Sequence, residues 1–301
     1  MNIRDTINYA KEHLDIVDVK ILIKYIYKKF EKKDIDDKFF ILNLNDEFKY
    51  IYQLDGYIKD IKEGKPLQYI TNEQYFYGEK FFVNENVLIP QPDTEILVEN
   101  ALKTAEILLS KQSDKKENQL AESQKTQISN DNVTSKNEEI IKILDLCTGS
   151  GAIAVCLKKH LGDSADVDAL DISDEALNVA KKNAQDMKQE INFIQSNMFE
   201  KVNKTYNLIV SNPPYIESDV IKKLDKDVQK EPHIALDGGE DGLDFYRIIR
   251  KDIEKYLDGY LLLEIGYNQK EKVLKMFEGG TCIQDYAGND RVIIWSHFHQ
   301  K

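Results

Sequence analysis

From residue 140 onward the chain alternates short apolar runs with amphipathic stretches, and this alternation constrains the fold more than any other feature. The runs fall near 140–146 (I-I-K-I-L-D-L), 167–171, 191–195, 206–211 and 259–265. Apolar runs of strand length separated by helical spacing predict a doubly wound parallel sheet. Beyond them T-C-I-Q-D-Y, the turn A-G-N-D and R-V-I-I-W-S-H predict a closing antiparallel hairpin, making seven strands in an α/β, Rossmann-like domain.

Upstream the period changes. Residues 1–72 carry helical spacing at Ile7, Ala10 and Leu14, then Val19, Ile23, Tyr27 and Phe30, then Ile51, Leu54, Ile58 and Ile61, which predicts a small helical bundle. Its lysines 24, 28, 29, 32 and 33 form a face that either docks a partner or is simply solvated. Residues 73–90, with aromatics on both sides of Gly78, read as a β-hairpin linking the bundle to a domain over 91–301. Within that domain, 110–139 holds only Leu120, Ala121, Ile128 and Val133 as apolar residues. Such a stretch cannot bury enough surface to offset its ordering entropy, so a mobile insertion is expected.

Composition narrows the function. Lys and Arg number 41 against 53 Asp and Glu, a net charge of -12, which disfavours broad adhesion to phosphate backbones, so no direct nucleic-acid partner is expected. Three cysteines without metal-ligand spacing predict neither a disulfide framework nor a metal centre. The charged N-terminus and the lack of eighteen uninterrupted apolar residues predict a cytoplasmic chain with no membrane span.

The first strand runs into D-L-C-T-G-S-G-A-I-A, Asp145 to Ala154. Gly149 and Gly151 allow a sharp turn and close approach to a ligand, and the amides opening the next helix favour electronegative groups. Asp171 ends the second strand, where an acidic side chain accepts hydrogen bonds from ribose hydroxyls. A nucleoside-bearing cofactor follows, although G-S-G-A-I-A also satisfies the dinucleotide pattern. An ordinary turn is the alternative for the glycines, and a helix N-cap for Asp171.

S-N-P-P-Y, Ser211 to Tyr215, decides between cofactors. It ends a strand, where open α/β sheets bind ligands. The prolines hold Asn212 and Pro213 in extended geometry and donate no hydrogen bonds. The segment therefore offers the Asn212 side-chain oxygen and the Pro213 carbonyl as fixed acceptors, suited to both protons of an NH2 group aimed at a methyl sulfonium. Tyr215 would add an aromatic wall.

N-P-P-Y with D-L-C-T-G-S-G resembles the S-adenosylmethionine-dependent amino methyltransferases. Leu88 to Glu95 (L-I-P-Q-P-D-T-E), Glu231 to Leu243 (E-P-H-I-A-L-D-G-G-E-D-G-L), Tyr246-Arg247, Gly259 to Gly266 (G-Y-L-L-L-E-I-G) and the late D-R-V resemble the peptide chain release factor glutamine methyltransferases, the PrmC/HemK family. The resemblance covers nearly the whole chain apart from 110–139. It implies S-adenosyl-L-methionine as cofactor, methylation of the glutamine amide in the Gly-Gly-Gln motif of bacterial release factors, and a helical domain that docks them. It further implies that Cys147, Thr148, Gly149, Ser150 and Gly151 line the methionine and ribose, Asp171 holds the ribose hydroxyls, Asn197 and Met198 flank the adenine, and Asn212, Pro213, Pro214 and Tyr215 grip the glutamine. Met198 reads equally as core filler. Three positions depart from the family pattern: Cys147 stands for a glycine, so a positive φ is not expected there, Gln91 for an arginine and Asn197 for an aspartate. Adenine amines in DNA or RNA are an alternative substrate, and a noncatalytic translation-factor binding module an alternative role.

Overall fold

Side-chain caps start the first helices. Asn2 caps α1 (Ile3–Ala10), Asp15 caps α2 (Ile16–Ile26) and Asp36 caps α3 (Asp37–Leu42), each accepting a backbone N–H of the first turn. Two more helices follow, α4 (Ile51–Lys62) and α5 (Leu67–Thr71). Their apolar stripes meet in a core that includes Ile3, Val19, Leu22, Ile23, Leu54 and Ile58. Phe30, expected inside, is 43% exposed. The cause is local: Tyr27–Glu31 form a π-helical turn, whose extra residue rotates the following side chain out of phase with α2.

The computed structural model describes residues 1–124 and 140–296, over 112–124 as helix backbone only. They divide into two compact units, Met1–Glu73 with Lys223–Glu231, and Gln74–Lys222 with Pro232–Lys301. The short charged segment 223–231 thus belongs with the helices, and Gly64 (φ +96°) approaches it so closely that a Cβ there would lie 2.9 Å from the Lys226 Cβ. Within this unit Lys24 pairs with Asp37 at 2.9 Å and Lys28 with Glu73 at 2.6 Å. Lys29 reaches the hydroxyls of Tyr25 and Tyr57, and Lys33 lies over the Phe39 ring. Four of the five lysines are therefore engaged inside the unit itself.

The hairpin forms as β1 (Glu73–Phe76) and β2 (Glu79–Phe82). Its two turn residues, Tyr77 and Gly78, have φ of 51° and 76°, the paired positive values that match a hairpin's twist. Helix α6 (Glu95–Gln124) comes next and continues through the first half of the stretch expected to be a mobile insertion. Residues 125–139, the rest of that stretch, lie outside the described residues.

The sheet domain then follows the expected alternation. In chain order it holds β3 (Ile141–Leu146), α7 (Ala152–Leu161), β4 (Ala165–Asp171), α8 (Asp174–Asp186), β5 (Asn192–Gln195) and β6 (Tyr206–Ser211). After β6 come α9 (Ser218–Ile221), α10 (His233–Leu236), α11 (Asp244–Asp252), β7 (Leu257–Glu264), α12 (Lys270–Met276), β8 (Thr281–Gln284) and β9 (Asp290–Ser296). The strands form one seven-stranded sheet in the order β5-β4-β3-β6-β7-β9-β8. The first five are parallel, and β9 runs antiparallel to both β7 and β8. Successive residues alternate faces, so Ile143, Val167 and Leu208 enter one core while Leu144, Leu170 and Ile209 enter the other. Among the described residues no helix is long and apolar enough to cross a membrane.

Candidate active site

The order reverses between β3 and β6, and at the carboxyl ends of β3, β4 and β6 a cavity opens. Its floor is the turn after β3. Asp145 is fully buried, and its Oδ2 accepts from the Thr148 hydroxyl at 2.6 Å and the Ala154 amide at 3.1 Å. Burial pushes this carboxyl up to about 7, against the pull of those two bonds. Its Oδ1 has no partner among the described residues.

Next in the turn, Thr148 donates to Leu170 O and Gly149 donates to Asp171 Oδ2, both at 2.9 Å. These bonds fix the backbone at Cys147 with φ +66°, contrary to the expectation that the cysteine would relax this position. The left-handed geometry is imposed by the strand-end hydrogen bonds rather than chosen by the residue, and the Cys147 Sγ settles 3.8 Å from the Met198 Sδ. Gly149 (φ +54°) lines the cavity, and a Cβ there would meet no protein atom. Gly151 does not line it. Its φ of +79° and missing side chain let α7 start against α8, where a Cβ would lie 2.9 Å from that of Ala180.

Asp171 accepts from the amides of Gly149 at 2.9 Å and Ser173 at 3.0 Å. Burial raises its carboxyl, and the backbone bonds oppose that rise. It does not cap α8; Ser173 does, accepting from the Ala176 amide. Asn197 and Met198 line the far wall. Met198 is left-handed (φ 46°), belongs to the core cluster and also lines the cavity. Asn197 turns its amide to Glu200 at 2.8 Å.

At the end of β6, Asn212 lines the cavity and donates its Nδ2 to Thr94 Oγ1 at 3.1 Å. Pro214 lines it too, whereas Pro213 and Tyr215 do not. The expected aromatic wall is therefore not Tyr215, whose ring packs against the core with its hydroxyl 3.3 Å from Glu264 Oε1. Phe76 and Phe245 are the aromatic residues on the cavity wall. The glycines of D-G-G-E-D-G-L explain themselves here. Gly238 and Gly242 press bare Cα atoms against the Pro214-Tyr215 backbone, and Gln269 Nε2 donates to Tyr215 O at 2.9 Å.

Sequence reasoning missed four supporting side chains. Asn183, buried on α8, donates to Ser150 O at 2.8 Å and Phe82 O at 3.0 Å and accepts from the Phe82 amide at 2.7 Å, tying the turn to the hairpin. Nothing local distinguishes it from other polar helix residues. Thr94, Glu264 and Arg291 did sit in noticed motifs. Arg291 is buried, pairs with Asp93 at 2.9 Å and with Asp285 at 3.2 Å, and so joins L-I-P-Q-P-D-T-E to D-R-V. Gln91, on the cavity wall, folds back on Ile89 O at 3.1 Å.

The description Methyltransferase small domain matches residues 115–231. A release factor glutamine methyltransferase of Buchnera aphidicola is 32% identical over 98% of this chain and 99% of that protein. Another, of Fusobacterium nucleatum, is 40% identical over 77% of this chain and 60% of that protein. A bifunctional methyltransferase of Rickettsia felis is 34% identical over 93% of this chain, which spans 54% of that longer protein. Thus the chain reaches little more than half the length of some relatives it matches. The near end-to-end match to the Buchnera protein, together with a doubly wound sheet that brings the glycine turn and N-P-P-Y to one cavity, shows that the chain belongs to the release factor glutamine methyltransferases, a family that uses S-adenosylmethionine.

Proposed function

We propose that the chain transfers a methyl group from S-adenosylmethionine to the side-chain amide nitrogen of the glutamine in the Gly-Gly-Gln motif of bacterial peptide chain release factors. One observation carries this reading: Asn212 spends its NH2 on Thr94, so its Oδ1 is the atom left to meet an incoming NH2 group. S-adenosylmethionine supplies a methyl group on a positively charged sulfur, and its departure leaves a neutral thioether. The residues present fit that group. Gly149 leaves open space on the cavity floor, Asp171 presents a half-buried carboxylate beside it, and Val87, Leu88, Ile153 and Met198 add apolar walls.

The lining residues support the following roles. Cys147, Thr148, Gly149 and Ser150 form the cofactor floor, Gly151 sets the start of α7 behind it, Asp171 takes the ribose hydroxyls, and Asn197 and Met198 flank the base. An amide nitrogen is a weak nucleophile because its lone pair is delocalised. Accepting an N–H at Asn212 Oδ1, with Pro213 fixing the neighbouring backbone, favours the localised nitrogen that develops during attack. The N–CH3 bond forms as the S–CH3 bond breaks, and the amide proton is lost to solvent, so no strong base is needed. Positioning can contribute about 7 to 11 kcal/mol to such a displacement. Residues 1–72 serve as the docking domain for the release factor, and a substrate of the translation machinery makes the cytoplasm the working compartment.

The test is to incubate the chain with S-adenosylmethionine and a release factor, offering DNA and RNA in parallel, and to locate the methyl group by mass spectrometry. A methyl on the Gly-Gly-Gln glutamine is expected. Label on nucleic acid, or on nothing, overturns the reading.

A further inference from the structure

Behind Asn212 lies a set of buried polar groups that the transfer itself does not use. Glu264 ends β7 and is 2% exposed, with Oε1 facing the Tyr215 hydroxyl and Oε2 without a partner among the described residues. Thr94, buried to 5% and on the cavity wall, stands close enough to this carboxyl to favour its charged form. The same Thr94 oxygen accepts from Asn212 Nδ2 at 3.1 Å.

A hydroxyl has one hydrogen. When a carboxylate takes that hydrogen, the hydroxyl oxygen can only accept from its other neighbour. We propose that Glu264 and Thr94 form a polarity relay that locks the Asn212 side chain with its oxygen toward the substrate, and thereby select a carboxamide over a carboxylate. The inference rests on the methyl-transfer reading above. With the relay set, a glutamine NH2 meets an acceptor, whereas a glutamate would bring oxygen against oxygen. With the relay reversed, Asn212 would turn its NH2 toward the substrate NH2 and repel it. Glu264 and Thr94 are positioning residues, since neither needs to touch the reacting atoms.

The relay should be sensitive to protonation. The groups facing Glu264 are the Tyr215 and Tyr246 hydroxyls, the Arg291 guanidinium and, beyond it, Asp93. Burial raises Glu264 to about 7 despite Thr94 and Arg291, which favour its charge. Below that pH the carboxyl carries its own hydrogen and no longer obliges Thr94 to donate, so Asn212 loses its fixed orientation.

The experiment measures kcat for release-factor methylation from pH 6 to 9 in the wild-type chain and in Thr94→Val, Thr94→Ser and Glu264→Gln, with cofactor affinity and melting temperature followed in parallel. Wild-type kcat should fall as pH drops through about 7. Thr94→Val and Glu264→Gln should lose roughly 10- to 100-fold in kcat and lose the acid limb, with cofactor affinity within about twofold, as for other supporting partners. Thr94→Ser, which keeps the hydroxyl, should restore both rate and limb. Variants that keep wild-type kcat and its acid limb, or that lose rate only in proportion to cofactor affinity, overturn the relay. So does a flat wild-type profile, which needs no variant to fold. Absence of any methyl on the release factor overturns the functional reading and the relay with it, whereas methylation with unimpaired variants overturns the relay alone.

Discussion

Gly238 lies against Tyr215 so closely that a Cβ on the glycine would stand 2.7 Å from the Tyr215 Cα and 2.9 Å from Pro214 O. The Gly238 amide also donates to Ile216 O at 2.8 Å, which leaves the segment little room to retreat. Gly238→Ala should therefore displace the N-P-P-Y backbone, lowering stability by about 1 to 3 kcal/mol through overpacking. Thermal unfolding and kcat should fall together; an unchanged melting temperature would show that the contact yields.

On the proposed reading, Asn212→Ala removes the acceptor for the substrate amide while leaving the cofactor floor intact. By analogy with deleting one oriented polar partner at a reacting centre, kcat should drop by roughly 10² to 10³. Cofactor affinity, measured by calorimetry, should stay close to wild type. Near-normal turnover on a release factor would remove Asn212 from its assigned role.

Asn183→Ala strips the partner from Ser150 O and from both backbone groups of Phe82. Buried groups left unsatisfied cost about 1 to 3 kcal/mol each where water cannot replace the partner, so a total loss near 2 to 4 kcal/mol is expected. Urea unfolding reads this directly, and weaker cofactor binding should accompany it because the Ser150 turn loses its anchor.

These three sites differ in how far the sequence exposed them. Strands such as I-I-K-I-L-D-L are legible because burial on both faces leaves a run with almost no polar residues, and Gly149 and Asp171 are legible because their spacing places a turn and a strand end side by side, where they hydrogen-bond. Asn183 is not, because its partners lie at Phe82 and Ser150, far away in the chain, and the code for a satisfied buried amide is purely spatial. The stretch after residue 110 misled for a different reason. Residues 111–124, K-Q-S-D-K-K-E-N-Q-L-A-E-S-Q, are poor in apolar groups but rich in Lys, Gln and Glu, whose intrinsic preference continues α6. Segment 223–231 likewise carries no periodic pattern, and its assignment to the helical unit comes from spatial contacts, the close approach of Lys226 to Gly64 among them.

Cys147 occupies a left-handed backbone position, which costs a non-glycine residue roughly 1 to 2 kcal/mol. Cys147→Gly should remove that strain at the expense of the contact with Met198, leaving stability within about 1 kcal/mol of wild type. Cys147→Val, β-branched in the same geometry, should unfold at clearly lower denaturant concentration. Equal midpoints for the two variants would show that the conformation is not strained.

Burial raises Asp145 from its ordinary 3.8 to about 7. Between those values the folded chain holds a proton that the unfolded chain has released, so this group stabilises at low pH and its contribution is lost as pH rises toward 7 and beyond. Asp145→Asn cannot ionise, so its stability relative to wild type should improve from pH 5 to about pH 7 and level off above it. Urea midpoints across that range, with a difference independent of pH, would show that Asp145 is not raised.

Strand β9 lies between β7 and β8, and β8 has no other neighbour in the sheet. Residues 281–284 therefore leave the ribosome before the strand that receives them exists. Until 290–296 emerge, β7 is a bare edge and Asp93 lacks Arg291. A nascent chain halted short of that strand would carry a finished glycine turn and an unbraced N-P-P-Y wall, so competence is gained late in synthesis rather than accumulated along it.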